Sequence, residues 1–98
     1  MNIGRERNGN ELTLTVEGRL DTNTAPQLQA ELEKEYNSTE KLILDFKDLA
    51  YISSAGLRVL LLAHKTMSQK GGLKVRNVGD IVGEVFSVTG FADVLDIQ

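Results

Sequence analysis

The alternation of hydrophobic and polar residues near the start of the chain predicts a β-hairpin. Residues 11–18 place Leu12, Leu14 and Val16 at every second position with polar residues between them, which is the pattern of a strand with one covered face. An Asn-Gly-Asn sequence with strong turn preference comes just before this segment. We therefore expect residues 3–7 to form a weaker first strand that pairs with it.

Three segments carry the pattern of helices. The first begins near Thr24, which has capping-box spacing to Gln27, and continues as an apolar stripe to Tyr36. The second covers residues 54–68 and is apolar almost all round, so it is predicted to be the most buried helix. Asp80 is the predicted N-cap of the third.

The remaining apolar segments predict an α/β fold. Residues 42–46 are nearly all apolar, which is typical of a central strand covered on both faces, and residues 73–78 and 94–97 complete the strands. The resulting order is β-β-α-β-α-β-α-β, and its strand–helix–strand units favour parallel neighbours with right-handed crossovers. The sequence thus predicts a mixed sheet of four to five strands covered by about three to four helices, in a single domain over residues 1–98.

Composition narrows the classes of function. The chain of 98 residues has no cysteine, which excludes disulfides and thiol chemistry, and its net charge of −3 argues against binding nucleic acid. Its longest apolar run is far too short to span a bilayer. The prediction is a cytoplasmic protein with no direct membrane insertion. No nucleotide-binding glycine motif or dense acidic cluster occurs, so we expect no cofactor and no metal.

Two loops are the candidate functional site. Residues 18–24 and 49–56 each follow a predicted strand. If those strands are parallel, both loops open on the same edge of the sheet, where α/β proteins place their sites. Asp21 would then lie near Ser53 and Ser54.

The serine pair stands at the start of a predicted helix and is followed by the small residues Ala55 and Gly56. A helix N-terminus stabilises negative charge, and a phosphoserine adds about −1.5 to −2 charges at pH 7. Phosphorylation here would leave the fold intact and repel a partner packed over the small residues. The simpler interpretation is that a serine before a helix is an ordinary N-cap, and that Asp21 is a turn residue.

A resemblance to a known family favours the switch. The segment DFKDLAYISSAGL, from Asp45 to Leu57, resembles the signature of STAS domains of the anti-sigma factor antagonist family. The GRLD sequence that ends at Asp21, the Gly71-Gly72 turn and the VTGF sequence before the last strand also fit that family. The resemblance covers essentially the whole chain.

The resemblance implies a partner-switching circuit. In such a circuit, the unmodified antagonist binds an anti-sigma factor that is also a serine kinase, and a PP2C-type phosphatase reverses the phosphorylation. It implies Ser54 as the phosphorylated residue. Ser53 stands where many members have aspartate, so it is a second candidate. The predicted partner-binding residues are Asp21, Thr22, Asn23, Thr24, Ser53, Ser54, Ala55 and Gly56.

Three alternatives remain at this stage. A hydrolase is disfavoured because Ser54 and the only histidine, His64, are assigned to one helix about 15 Å apart; the protein is therefore expected not to be an enzyme. A receiver domain phosphorylated on Asp45 would need further acidic residues, and Asp21 is the lone candidate. The third alternative is an unphosphorylated STAS subunit or scaffold of another complex, for example in lipid transport.

Overall fold

The computed structural model describes all residues from 1 to 98. It contains six strands and three α-helices, in the order β1 (Asn2–Asn8), β2 (Glu11–Leu20), α1 (Ala25–Glu35), β3 (Lys41–Asp45), β4 (Leu49–Ile52), α2 (Ser54–Met67), β5 (Leu73–Arg76), α3 (Asp80–Thr89) and β6 (Asp96–Ile97). Short 3₁₀ turns follow α1 and α3. No helix is both long enough and apolar enough to pass through a bilayer.

The sheet confirms the predicted α/β class and its mixed character. Its main path is β1-β2-β3-β5-β6, with β1 antiparallel to β2 and every other neighbouring pair parallel. The strand count is six rather than four or five, because residues 49–52, predicted to be part of a loop, form β4.

Strand β4 exists because β2 is long enough to serve two partners. The first half of β2 pairs with β3, and its last three residues pair with β4, with a register shift between Gly18 and Arg19. A tight turn, in which the Leu49 amide donates to the Phe46 carbonyl at 3.0 Å, brings the chain from β3 to β4. A strand of four residues is too short to show a clear alternation of apolar and polar residues, so the sequence does not predict it.

The helices cover one face of the sheet, so the prediction that β3 is covered on both faces is wrong. Leu42 and Leu44 are buried beneath the helices, whereas Ile43 points to the opposite face and is half-buried. The neighbours of Ile43 on that face are Thr13 and Lys74. Helix α2 supplies the most buried side chains of the three helices, as predicted, but it is not buried all round, since Leu62 is 47% exposed.

Of two predicted helix caps, Thr24 is confirmed in position but forms no capping hydrogen bond, and the assignment of Asp80 is wrong. Thr24 occupies the N-cap position of α1 but forms no capping hydrogen bond, because its hydroxyl donates to the Arg19 carbonyl at 2.8 Å and accepts from the Asp21 amide. Asp80 is the first residue of α3 and Gly79 is its N-cap. A carboxylate in the first turn is still favourable, because it faces the positive end of the helix dipole.

Candidate functional site

The two predicted loops meet at one edge of the sheet. Because β2 and β4 are parallel neighbours, the chain leaves both strands at the same end. The Ser53 amide donates a hydrogen bond to the Leu20 carbonyl at 2.9 Å, which joins the residue before Asp21 directly to the serine pair. Helices α1 and α2 begin at this edge and run next to each other.

The two serines have different structural roles. Ser53 is the N-cap of α2: its backbone is extended, and its Oγ accepts a long hydrogen bond of 3.5 Å from the Gly56 amide. Ser54 is the first residue of the helix, is exposed, and its hydroxyl makes no hydrogen bond within the protein. A modifying enzyme can therefore reach the Ser54 hydroxyl without disturbing the cap, whereas modification of Ser53 takes place on the capping oxygen itself.

Asp21 shapes the loop between β2 and α1. Its Oδ1 accepts hydrogen bonds from the amides of Asn23 and Thr24 at 3.0 and 3.1 Å, which is an Asx-type turn. Partial desolvation raises the pKa of Asp21, but these hydrogen bonds and the charge of Arg19 together lower it below its usual value. Thr22 and Asn23 are exposed at the tip of the loop, so they are the members of this segment that a partner can contact most readily.

Gly56 lies beneath the predicted partner surface rather than on it, contrary to the prediction. Gly56 is buried, and a Cβ added to it would lie 2.8 Å from both Leu20 Cγ and Ile52 Cγ1. The missing side chain lets α2 pack closely against β2 and β4. Ala55, by contrast, is only partly buried and faces the gap between the helices.

Sequence reasoning missed a groove between α1 and α2, which starts at the site and has a volume of about 440 Å³. We call it the helix groove; residues that line it include Thr22, Pro26, Gln29, Ala55, Arg58 and Leu62. The apolar pattern of α2 placed Leu62 in the core, and only the structure shows that this side chain is exposed. The groove joins the exposed tip of the first loop to the helix that carries Ser54.

A cation–π pair connects β2 and β4 next to the two loops. The Arg19 guanidinium is 4.4 Å from the centre of the Tyr51 ring, and the two residues are register partners across β2 and β4. Arg19 also lies 3.8 Å from Asp21. These contacts hold the end of β4, and hence the serine pair, against the first loop.

The carboxylate of Asp45, which would be the phosphorylated residue of a receiver domain, is held by hydrogen bonds and an ion pair within the fold. Its Oδ1 accepts hydrogen bonds from the Asn77 side chain and the Lys47 amide, each at 3.0 Å, and Arg76 lies 3.5 Å from its other oxygen. Burial raises the pKa of Asp45, but these donors and the arginine charge more than offset that effect and lower it. The carboxylate ties the ends of β3 and β5 together.

The fold and the exposed serine on α2 define the class of protein. The protein belongs to the STAS domain family, because the family model described as "Mlab, STAS domain" matches residues 3–96. This finding confirms the resemblance seen in the sequence.

Two relatives and one solved structure illustrate the similarity. The anti-sigma-B factor antagonist of Bacillus subtilis is 30% identical over all of this chain and 91% of its own length. The putative anti-sigma factor antagonist BtrV of Bordetella bronchiseptica is 38% identical over 88% of this chain and 76% of its own. The Bacillus cell fate determinant SpoIIAA in its phosphorylated form has the same fold, with a TM-score of 0.77 and 17% identity over 99% of this chain and 91% of its own.

Proposed function

We propose that this protein is a cytoplasmic anti-sigma factor antagonist of a bacterial partner-switching circuit. In this proposal the unmodified protein binds an anti-sigma factor, and phosphorylation of Ser54 ends the binding. The observation that carries it is the placement of Ser54, exposed and without a hydrogen bond at the first turn of α2, beside the helix groove. The names of the relatives support the same function, which is regulatory binding rather than catalysis.

The proposed binding surface surrounds Ser54. It comprises the loop residues Asp21, Thr22, Asn23 and Thr24 together with Ser53, Ser54 and Ala55. Asp21 and Thr24 fix the loop through their internal hydrogen bonds, and Thr22 and Asn23 offer exposed groups. A partner that covers this surface packs against Ser54.

Phosphorylation at this position changes the surface and leaves the fold intact. The backbone amides of the first helical turn and the helix dipole stabilise negative charge at Ser54. A phosphate brings about −1.5 to −2 charges and its own bulk, which a partner packed over Ala55 and the loop would have to accommodate. The switch therefore acts through the interface and needs no unfolding of the domain.

The enzymes of the circuit follow from the same proposal. The anti-sigma factor itself acts as the serine kinase, and a PP2C-type phosphatase restores the hydroxyl. Ser53 is the second candidate acceptor, but its Oγ is already engaged as the N-cap of α2.

Binding measurements on Ser54 variants test the proposal. Ser54→Asp is expected to weaken binding to the anti-sigma factor of the host by at least about tenfold, because a charge enters a contact surface. Its melting temperature should stay equal or rise slightly, since an acidic residue in the first turn favours the helix. Ser54→Ala should bind like the wild type and resist inactivation by the kinase.

The matched control is Ser87→Asp, which adds the same charge at an exposed position of α3. It should bind the anti-sigma factor like the wild type. Equal affinity of the wild type and Ser54→Asp would contradict the proposal. Co-purification with a membrane transport complex, and with no serine kinase, would favour the STAS subunit or scaffold instead.

A further inference from the structure

Arg58 is the one arginine without an acidic partner. The chain has five arginines, and the other four contact carboxylates: Arg5 and Arg7 contact Glu35, Arg19 contacts Asp21, and Arg76 contacts Asp45. Arg58 is exposed and makes no hydrogen bond or ion pair. Helical ion pairs form between residues three or four apart, and the residues at those distances are Ser54, Ala55, Leu61 and Leu62, none of which is acidic. Its guanidinium is therefore available for another charge.

Ser54 stands one helical turn before Arg58. Both lie in α2, four residues apart, which places them on the same face with a rise of about 6 Å between them. Helical side chains lean toward the N-terminus, so the long side chain of Arg58 can reach the turn that carries Ser54. A negative group four residues before a positive one is the favoured orientation of a helical ion pair. A phosphate on Ser54 would meet the guanidinium.

Arg58 also gives the helix groove its charge. It is the only charged residue in the lining, which otherwise consists of apolar or neutral side chains. The Gln29 side chain contributes an unpaired acceptor, because its Nε2 donates to Glu33 at 2.8 Å while its buried Oε1 has no donor. A segment that complements this groove would carry apolar side chains, a carboxylate for Arg58 and a hydrogen-bond donor for Gln29.

Resting on the proposed function, we infer that Arg58 has two alternative acidic partners and so couples phosphorylation to binding in the groove. When Ser54 is unmodified, Arg58 pairs with a carboxylate of the anti-sigma factor segment seated in the helix groove. When Ser54 is phosphorylated, Arg58 pairs with the phosphate. The modification thus adds a negative charge to the surface and also withdraws the groove's only positive charge from the partner.

A phosphate titration tests the intramolecular half without any partner. Phosphoserine is incorporated site-specifically at position 54, and its second pKa is measured by ³¹P NMR in the wild type, Arg58→Ala and Lys65→Ala. Lys65 is the matched control, because it is an exposed cation of the same helix three turns from Ser54. An ion pair favours the dianion, so Arg58→Ala should raise the phosphate pKa by about 0.3 unit and Lys65→Ala should leave it unchanged. The same pKa in Arg58→Ala and the wild type would overturn the proposal.

A binding measurement tests the other half with the unphosphorylated protein. Arg58→Ala should lower the affinity for the anti-sigma factor roughly tenfold. Arg58→Lys should recover part of the loss, and Lys65→Ala should bind like the wild type. Arg58 has no internal hydrogen bond or ion pair to lose, so the melting temperature of Arg58→Ala should change little and serves as the control for folding. If Arg58→Ala binds the anti-sigma factor with wild-type affinity, the inference about Arg58 is overturned. If the wild type itself does not bind, the proposed function is overturned. In that case the titration still decides whether the phosphate contacts Arg58.

Discussion

Replacing Gly56 by alanine distinguishes a packing role for this residue from a role at the partner surface. The added Cβ would lie 2.8 Å from Leu20 Cγ and from Ile52 Cγ1, which is far inside van der Waals contact. Leu20 and Ile52 are 0% and 1% exposed, so neither side chain can withdraw into solvent. Helix α2 must therefore shift outward, or the two side chains must leave their preferred rotamers.

The expected loss follows from two opposing effects. Overpacking a buried site costs about 1–3 kcal/mol, whereas replacing glycine by alanine inside a helix contributes about 1 kcal/mol in favour of folding. We therefore expect Gly56→Ala to lower the free energy of unfolding by a net of about 0–2 kcal/mol. Each kcal/mol corresponds to about 4–8 °C in the melting temperature of a domain this size. If Gly56 instead faced a partner across open space, only the helix effect would remain and the variant would be stabilised.

The assay is urea denaturation followed by circular dichroism, with Gly83→Ala as the matched control. Gly83 lies inside α3, and a Cβ there would be 3.7 Å from Val78 Cγ1, an ordinary contact. Gly83→Ala should therefore raise stability by up to about 1 kcal/mol. A Gly56→Ala protein as stable as Gly83→Ala would refute the packing argument and return Gly56 to the candidate partner surface.

Further predictions concern the cap and the acid stability of the fold. Ser53→Ala should lower the free energy of unfolding by about 1 kcal/mol, because α2 loses its N-cap. Ser54 remains available as the phosphate acceptor in this variant. A stability equal to that of the wild type would show that the 3.5 Å contact contributes nothing. Glu35 forms hydrogen bonds with Arg5 and Arg7, and the bond from Arg5 is the main reason that its pKa lies below the ordinary value of 4.5. A carboxylate with a lowered pKa in the folded state stabilises the protein above its unfolded pKa, and this contribution is lost as the pH falls below about 4.5 through the folded value. The melting temperature of Glu35→Gln should therefore be lower than that of the wild type near pH 7, and the difference should shrink toward pH 3. Thermal melts of both proteins from pH 3 to pH 7 measure this difference. A difference that stays constant with pH would contradict the pKa argument.

Long periodic patterns made the fold class predictable. The alternation in β2 and the apolar stripes of the helices each extend over several residues, so burial and period point to the same structure. β4 was missed because four residues after a tight turn are too few to show an alternating pattern. Its formation also depends on pairing with the end of β2, which is a tertiary contact that the local sequence does not reveal. The covered faces of β3 were misread for a related reason: an apolar run does not reveal that Ile43 faces Thr13 and Lys74 on an open side.

The candidate site was predictable in its location but less so in its individual residues. Parallel strands bring their loops to one edge of the sheet, so the strand order alone predicts that Asp21 lies near the serines. Sequence alone could not decide which serine caps the helix, because either could precede its first turn. Nor could it show that Gly56 points inward, or that Arg58 has no acidic partner, since both depend on how α2 sits against the sheet and against α1.

The most direct test of the central claim is phosphosite mass spectrometry on the protein isolated from its native host, under conditions that activate and inactivate the sigma factor. Cleavage after Lys47 and Arg58 releases one peptide, residues 48–58, that holds both serines. We predict a phosphate on Ser54, with an occupancy that falls when the sigma factor becomes active. A phosphate on Ser53 alone, or an unmodified peptide under every condition, would contradict the assignment of Ser54 as the switch.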